Sequence, residues 1–593
     1  MSSIVVMKFG SSVLADEARV SSVIDEIYRA IRAGYRVVAV VSALGDTTDA
    51  LVGAYGDSSF SEEGYATYVG TGELQSAALL TRELGRAGIA STLADATRAR
   101  LVTDGSILNA EPVGLDTLGL IRLLEAQDVV VVPGFLGRDI HGRTTLLGRG
   151  GSDLSAVFIA NRLDAPCILL KDVDGIFEED PALSEVPVPK FERLSWQTAL
   201  EIGGAIVQRK ALEFAAQNET TIVVRSLGGS GTLVGSFGDV LEPVSGRDDL
   251  RPIRVGLIGL GTVGDEVYRR LTACPDLEVV SILVRDLSKP RNGLAEGITN
   301  DPESFFASDL ELVVDCSNPS QELNRDLLRA VGAGLRVVTA NKGNLADSLS
   351  DWGQAIKDGR VRHSASVGGV VTMLETVRQQ ASASNVQSFR AVLNGTCNFI
   401  LDRLHQGESF DSSLAEAQAL GFAEADPSAD IDGWDAARKC ALLALEAWGT
   451  IVDWRDIDVS GIRHLTREEA AEAQASGATL RLVAEGAIVD EEPRLSVKPQ
   501  WVAQGSPEAK VKGGNNVLTI HGARGRILER RGAGAGGLAT AVSVFGDVLA
   551  FVKEIRVAPS RFMPILIQDG YDESDLKARQ SHRRRRNQAR SLS

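Results

Sequence analysis

A chain of 593 residues is too long for one core and predicts two to four domains. Apolar residues at 44% and charged residues at 24% suit a soluble globular protein, and no membrane-spanning apolar run or signal-peptide order occurs, so a cytoplasmic chain without membrane contact is expected. The formal net charge of −17 argues against nucleic-acid binding through the folded domains.

The five cysteines form no CxxC pair and read as reduced thiols, and the six histidines do not cluster. Acid–base chemistry therefore falls to lysines and carboxylates, and no metal-ligand set is assigned. The first predicted strand ends in "KFGSSV", where Lys8, Gly10 and Ser11 can bring backbone N–H groups and a cation to phosphate oxygens. A helical stretch over 19–34 follows, then "YRVVAVVSALGDTTD" and "DVVVVPGFLGRDIHGRTTLLGRGGSD" repeat the strand-and-turn format. Strands alternating with helices predict an α/β fold whose mostly parallel sheet binds ligands at the carboxyl ends of its strands. In "GRGGSDLSA", Arg149 is a fork for carboxylate or phosphate, Gly150 and Gly151 permit close approach, and Ser152 or Ser155 can cap the next helix. Asp153 there calls for a balancing lysine or metal.

Across about 1–230, "KFGSSV", "VVSALGDTTDAL", "GTGELQSA", the GRGGSD segment and "DVDGIFEEDP" resemble the catalytic domain of aspartate kinase. The resemblance implies an amino-acid-kinase fold and transfer of the ATP γ-phosphoryl, with Mg2+, to L-aspartate. It implies that Lys8 neutralises the transferring group, that Asp153 orients it or Lys8, and that Thr48, Glu73, Arg149 and Ser152 hold aspartate. Lys8, Gly10, Ser11, Asp172, Asp174 and Gly175 would lie by the nucleotide. The chain departs from the family at Ser11–Ser12, at Lys171 in place of a threonine, at Ala182 in place of an arginine, and at "GAIVQRKAL", which lacks His-Pro. The aspartate side is complete and the ATP side thinned.

"EPVSGRDDLRP" reads as a linker, 241–252. "IRVGLIGLGTVGDEVYRRL" then gives strand, glycine turn (Gly259, Gly261, Thr262, Val263, Gly264) and helix, the context that makes G-x-G-x-x-G a dinucleotide signal. The next strand ends in Arg285, with Lys289 beyond, which suits the 2′-phosphate of NADP. "ELVVDCSNPS", with Ser317, and "GLRVVTANKGNLA", with Lys342, end further strands at the same edge. In "GFAEADPSADIDGWDAARK" a helix starting near Gly433 would set Asp435 and Lys439 one turn apart on one face.

Residues 253–550 resemble homoserine dehydrogenase through these segments, "SASVGGVVTMLETVR", "AVLNGTCNFILDRL" and "RRGAGAGGLATAVSVFGDVL". The resemblance implies that Glu424, Asp430 and Asp435 bind the amino acid's ammonium and hydroxyl or hold Lys439, that Lys439 with Lys342 supplies the proton, and that Gly536 returns to the cofactor. Ser364 replaces a glutamate that in this family helps hold a structural monovalent cation, which puts that ion in question. The expected architecture is an amino-acid-kinase domain (1–240), a Rossmann NADP domain (253–365) and an α+β catalytic and dimerisation domain (366–560), with a basic tail (561–593). The expected assembly is a homodimer or homotetramer.

The expected function joins aspartate kinase to NADP-dependent homoserine dehydrogenase in threonine and methionine biosynthesis, acting on L-aspartate, aspartate 4-semialdehyde and homoserine. The alternative is a homoserine dehydrogenase whose kinase-like half serves regulation or assembly. The gap between the halves has no room for the ACT regulatory domains of typical fused members, so feedback by threonine or lysine through such domains is not expected.

Overall fold

The computed structural model describes residues 3–55, 61–184, 188–202, 206–242, 251–291, 297–384, 386–522, 525, 527–534 and 536–556. Most of the predicted linker, and the whole basic tail, lie outside the described residues. The first half is built on a nine-stranded, largely parallel sheet. Ile4–Phe9 and Arg36–Val41 are near-continuous apolar runs buried on both faces, as interior parallel strands require, and lie side by side at its centre. Cys167–Leu170 flanks the first and Val129–Pro133 the second. This register sets Lys8 between Val40 and Leu169, one step from the carboxyl end of the central strand. The predicted 19–34 helix forms over Val20–Arg32.

The second sheet has six parallel strands in the order Ile298–Thr299, Leu277–Leu283, Ile253–Ile258, Leu312–Asp315, Arg336–Thr339, Val361–Arg362. The chain reverses direction on either side of Ile253–Ile258, so the carboxyl ends of that strand and of Leu312–Asp315 border a crevice. The third sheet is mainly antiparallel, with Val386–Val392 between Ala478–Val489 and Asn515–Gly522. Helix Trp434–Trp448 shares an apolar core with it through Ala437, Ala441, Leu442 and Leu482. The last helix, Gly537–Arg556, leaves this sheet: Ala541, Val544, Val548 and Phe551 pack with Val255 and Leu257 of the second sheet and with Val267 of helix Thr262–Ala273.

Candidate functional site

Helix Trp434–Trp448 begins after Gly433, whose φ of +86° turns the chain sharply into it. Asp435 and Lys439 then fall on one buried face, 2.8 Å apart between Oδ2 and Nζ. Lys342 opens the helix that follows strand Arg336–Thr339 and contacts the other carboxylate oxygen of Asp435. One buried carboxylate is thus held between two ammonium groups from different elements. Burial works against its charge, but Lys439 and Lys342 outweigh burial and hold Asp435 far below the ordinary carboxylate range. The lysines diverge. Burial and repulsion from Lys342 push Lys439 down despite Asp435, whereas for the more open Lys342 the carboxylate overcomes burial and pulls it up. A lysine biased towards losing its proton beside one biased towards keeping it is a proton-transfer arrangement.

Asn394 Nδ2 donates to Asp435 Oδ2 at 2.9 Å and to Asp430 Oδ1 at 2.7 Å, and the Thr396 hydroxyl donates to Asp430 Oδ2 at 3.1 Å. The Leu393 carbonyl accepts from Lys439 Nζ at 2.7 Å. Asp430 therefore joins the cluster. Glu424 lies exposed in the preceding loop, and its carboxylate makes no hydrogen bond or ion pair among the described residues. Asp432 faces away, forked by Arg463 at 2.9 and 3.0 Å.

The crevice of the second sheet adjoins this cluster through Lys342. Gly259 has φ +85°, and a Cβ on Gly264 would stand 2.0 Å from its carbonyl oxygen, so both glycines are needed for the helix to seat on the strand. Gly261, Thr262 and Val263 form the mouth of helix Thr262–Ala273. The Ser317 hydroxyl donates to buried Asp315 at 2.6 Å, and the next strand adds Thr339 to the same carboxylate at 2.9 Å. Arg285 and Lys289 project exposed beyond Leu277–Leu283. Arg291 returns to this loop, donating to the Asp286 and Lys289 carbonyls at 2.6 and 3.1 Å. Gly536 and Gly537 close the far wall, where a Cβ on Gly537 would meet Thr262 Cγ2 at 2.7 Å.

In the first half, Asp153 lies buried in the opening turn of helix Gly151–Leu163, 2.9 Å from Lys8 and 2.8 Å from Lys171. Burial opposes its charge, but the two lysines hold its carboxyl down at about 2. Lys171 itself is pushed down by burial and by Lys8. Glu73 is also buried, beside the Ala43 amide and the Thr48 hydroxyl, and burial lifts it to about 7. Its Oε2 has no hydrogen-bond partner among the described residues. Ser152 packs against Gly134, where a Cβ would meet its own at 2.8 Å. Gly10 lies under the Lys8 ammonium, while Ser11 and Arg149 are exposed.

Asp172 accepts a hydrogen bond from Ser12 at 3.3 Å. Asp174 is engaged by Lys190 at 2.9 Å and by the amides of Ser226, Ser230 and Gly231. That carboxylate ties down the 226–231 loop. Gly175, at φ +114°, passes 2.6 Å under Thr232 Oγ1 when a Cβ is built on it.

Residues 373–549 match the homoserine dehydrogenase family and 259–360 the NAD-binding domain of homoserine dehydrogenase. Homoserine dehydrogenase of Mycobacterium tuberculosis is 34% identical over 331 residues, covering 53% of this chain and 75% of the relative. The chain belongs to the homoserine dehydrogenase family. The Synechocystis sp. relative is 36% identical over 323 residues, covering 51% of this chain and 73% of its own. A solved homoserine dehydrogenase from Thiobacillus denitrificans is 30% identical with a TM-score of 0.48, covering 52% of this chain and 75% of that one. Ahead of these segments, residues 3–226 match the amino acid kinase family, so an amino-acid-kinase domain and a homoserine dehydrogenase share one chain. The dehydrogenase binds a nicotinamide dinucleotide and acts on small molecules. No helix among the described residues is long and apolar enough to cross a membrane.

Sequence reasoning passed over Asn394, Thr396 and Arg291, and missed the partner of Lys171. Asn394 caps helix Gly395–His405, and its "LNGT" context, an Asn before a small-residue helix start, was the available signal. Lys171 was seen as a departure, but its partner Asp153 is eighteen residues away in sequence and meets it only across the sheet edge.

Proposed function

We propose that this homoserine dehydrogenase interconverts aspartate 4-semialdehyde and homoserine with NADP(H) through Lys342, Asp435 and Lys439. The carrying observation is the buried Asp435 carboxylate between the two ammonium groups. The glycine turn fits a dinucleotide, because Gly264 lets the helix seat on the strand and the open space around Gly261 lets the backbone at the helix N-terminus approach a pyrophosphate. Bound there, the dinucleotide supplies the hydride to the aldehyde carbon or takes it from the alcohol. Arg285 and Lys289 hold the 2′-phosphate, and Gly259, Gly261, Thr262, Val263, Ser317 and Gly536 line the pyrophosphate and ribose side. Lys439 gives a proton to the carbonyl oxygen in the reducing direction and removes it from the hydroxyl in the other. Asp435 holds both ammoniums in place, Lys342 polarises the same oxygen, and Asp430 with Glu424 binds the substrate's amino group.

The first half is read as an aspartate kinase. Lys8 neutralises the γ-phosphoryl as its bond to the β-phosphate oxygen breaks and a bond to the aspartate carboxylate forms, releasing ADP; the Mg2+ travels on the nucleotide phosphates. Asp153 holds Lys8, while Thr48, Glu73, Arg149 and Ser152 grip aspartate and Asp172 lies at the nucleotide. A weak kinase kept for regulation or assembly is the second reading, favoured by the saturation of Asp174 and by Lys171 against Asp153. Assays of both reactions on the full-length protein decide between them. Lys439→Ala should cut the dehydrogenase kcat by about two to four orders of magnitude, and an unchanged kcat overturns its role. Formation of aspartyl hydroxamate from aspartate, ATP and hydroxylamine supports the kinase, and its absence supports the second reading.

A further inference from the structure

The two halves of this chain are joined by buried charge. Arg32, at the end of helix Val20–Arg32 in the kinase domain, reaches into the dehydrogenase half with a side chain only 10% exposed. Its Nη2 lies 2.6 Å from Asp547 Oδ1 and 3.4 Å from Ser364 Oγ, its Nη1 donates to the Ser543 carbonyl at 3.4 Å, and its Nε lies 3.4 Å from Glu375 Oε1. Gln379 donates back to the Arg32 carbonyl at 2.8 Å. Asp547 is otherwise held by Ser364, whose amide and hydroxyl both donate to it at 2.8 Å. A second buried pair, Asp25 Oδ1 with Arg270 Nε at 3.2 Å, ties the same kinase helix to the last turn of helix Thr262–Ala273, the helix that starts at the dinucleotide turn.

Apolar packing runs alongside. Val23, Ile27, Ile31, Leu84 and Ala87 share one core with Val370, Ala539 and Val542. At Gly88 the fit is tight: a Cβ there would stand 3.1 Å from both Ala533 Cβ and Val370 Cγ2. Ala533 precedes the glycine segment that ends at Gly537, and Gly537 abuts Thr262. A continuous path of packed residues therefore leads from Arg32 along helix Gly537–Arg556 to the wall of the cofactor crevice.

We propose that the kinase domain is a positioning part of the dehydrogenase, and that Arg32 is the residue through which it holds the segment at Gly536 and Gly537 against the dinucleotide. This rests on the assignment of that segment to the cofactor site. Removing the guanidinium leaves Asp547 buried without its cation, so the helix must shift or the carboxylate must take up a proton or water. Either change loosens the crevice wall without touching Lys439, Asp435 or Lys342. The crevice wall then fits the dinucleotide less well, and cofactor affinity reports it.

The test uses the full chain carrying Arg32→Met, with Arg32→Lys beside it. The KM for NADPH should rise about tenfold, the effect of losing one or two charge-assisted contacts, while kcat at saturating cofactor and the KM for aspartate 4-semialdehyde stay within about threefold. Arg32→Lys should recover part of the loss. An unchanged NADPH KM, or an equal fall in kcat with no change in KM, overturns the proposal. If Arg32→Met does not fold, Asp25→Asn is judged by the same split, with an expected rise of about tenfold. Arg285→Ala is the control. If it raises the NADPH KM and Arg32→Met does not, the interdomain proposal fails alone; if Arg285→Ala has no effect, the cofactor-strand reading fails instead.

Discussion

Asp435→Asn keeps the shape of the cluster and removes the carboxylate that contacts both Lys342 and Lys439. The asparagine cannot accept from two ammoniums and Asn394 as the carboxylate does, so Lys439 loses the interaction that opposes burial and its ammonium becomes still easier to deprotonate. Losing one charge-assisted hydrogen bond removes about 1.5–3 kcal/mol, or tenfold to a hundredfold in the Lys439 ionisation constant. In homoserine oxidation, where the neutral lysine takes the proton, the acidic limb of the kcat profile should move to lower pH. In semialdehyde reduction, where the ammonium gives the proton, the alkaline limb should move to lower pH by the same interval. Stability should also fall at neutral pH, by about 3 kcal/mol, because a buried pair has lost one partner. The folded-state pKa of Asp435 is lowered, so its stabilising contribution is present above the ordinary carboxylate range and is lost as pH falls; the gap between variant and parent should begin to close below about pH 4. Rate profiles in both directions and denaturant melts at several pH values measure this. Limbs that stay where they are, or move in opposite directions, refute the assignment of Lys439 as the proton carrier.

Arg285→Ala should lower affinity for NADP relative to NAD by about tenfold to a hundredfold, read from KM ratios; equal use of both cofactors by the unmutated enzyme would show the strand misread. Glu73 is raised by burial to about 7 in the folded protein, so it stabilises fully below its ordinary value and that contribution is lost as pH rises through 7. Glu73→Gln should therefore raise stability above pH 8 by up to about 3 kcal/mol while weakening aspartate binding, checked by thermal melts and aspartate KM. Gly264→Ala places a Cβ 2.0 Å from the Gly259 carbonyl and should abolish dinucleotide binding in a fluorescence titration even if the rest of the chain folds.

Local pattern determined a great deal of this protein. The runs at 4–9, 36–41, 253–258 and 312–315 are apolar on both faces, so each can only be an interior parallel strand, and the residues that follow them must lie at a ligand edge. The one-turn spacing of Asp435 and Lys439 was legible because helical periodicity is a property of neighbouring residues. Contacts between elements distant in sequence were decided only by the tertiary structure. Lys342 reaches Asp435 from another sheet's edge, Lys171 at the end of one strand meets Asp153 in the first turn of a helix, and Asp174 is drawn into the 226–231 loop. Most remote of all is Arg32, an unremarkable arginine at the end of an amphipathic helix by its sequence. Its partner Asp547 lies 515 residues later, and only the packing of one half on the other removes water from both charges and makes them depend on each other.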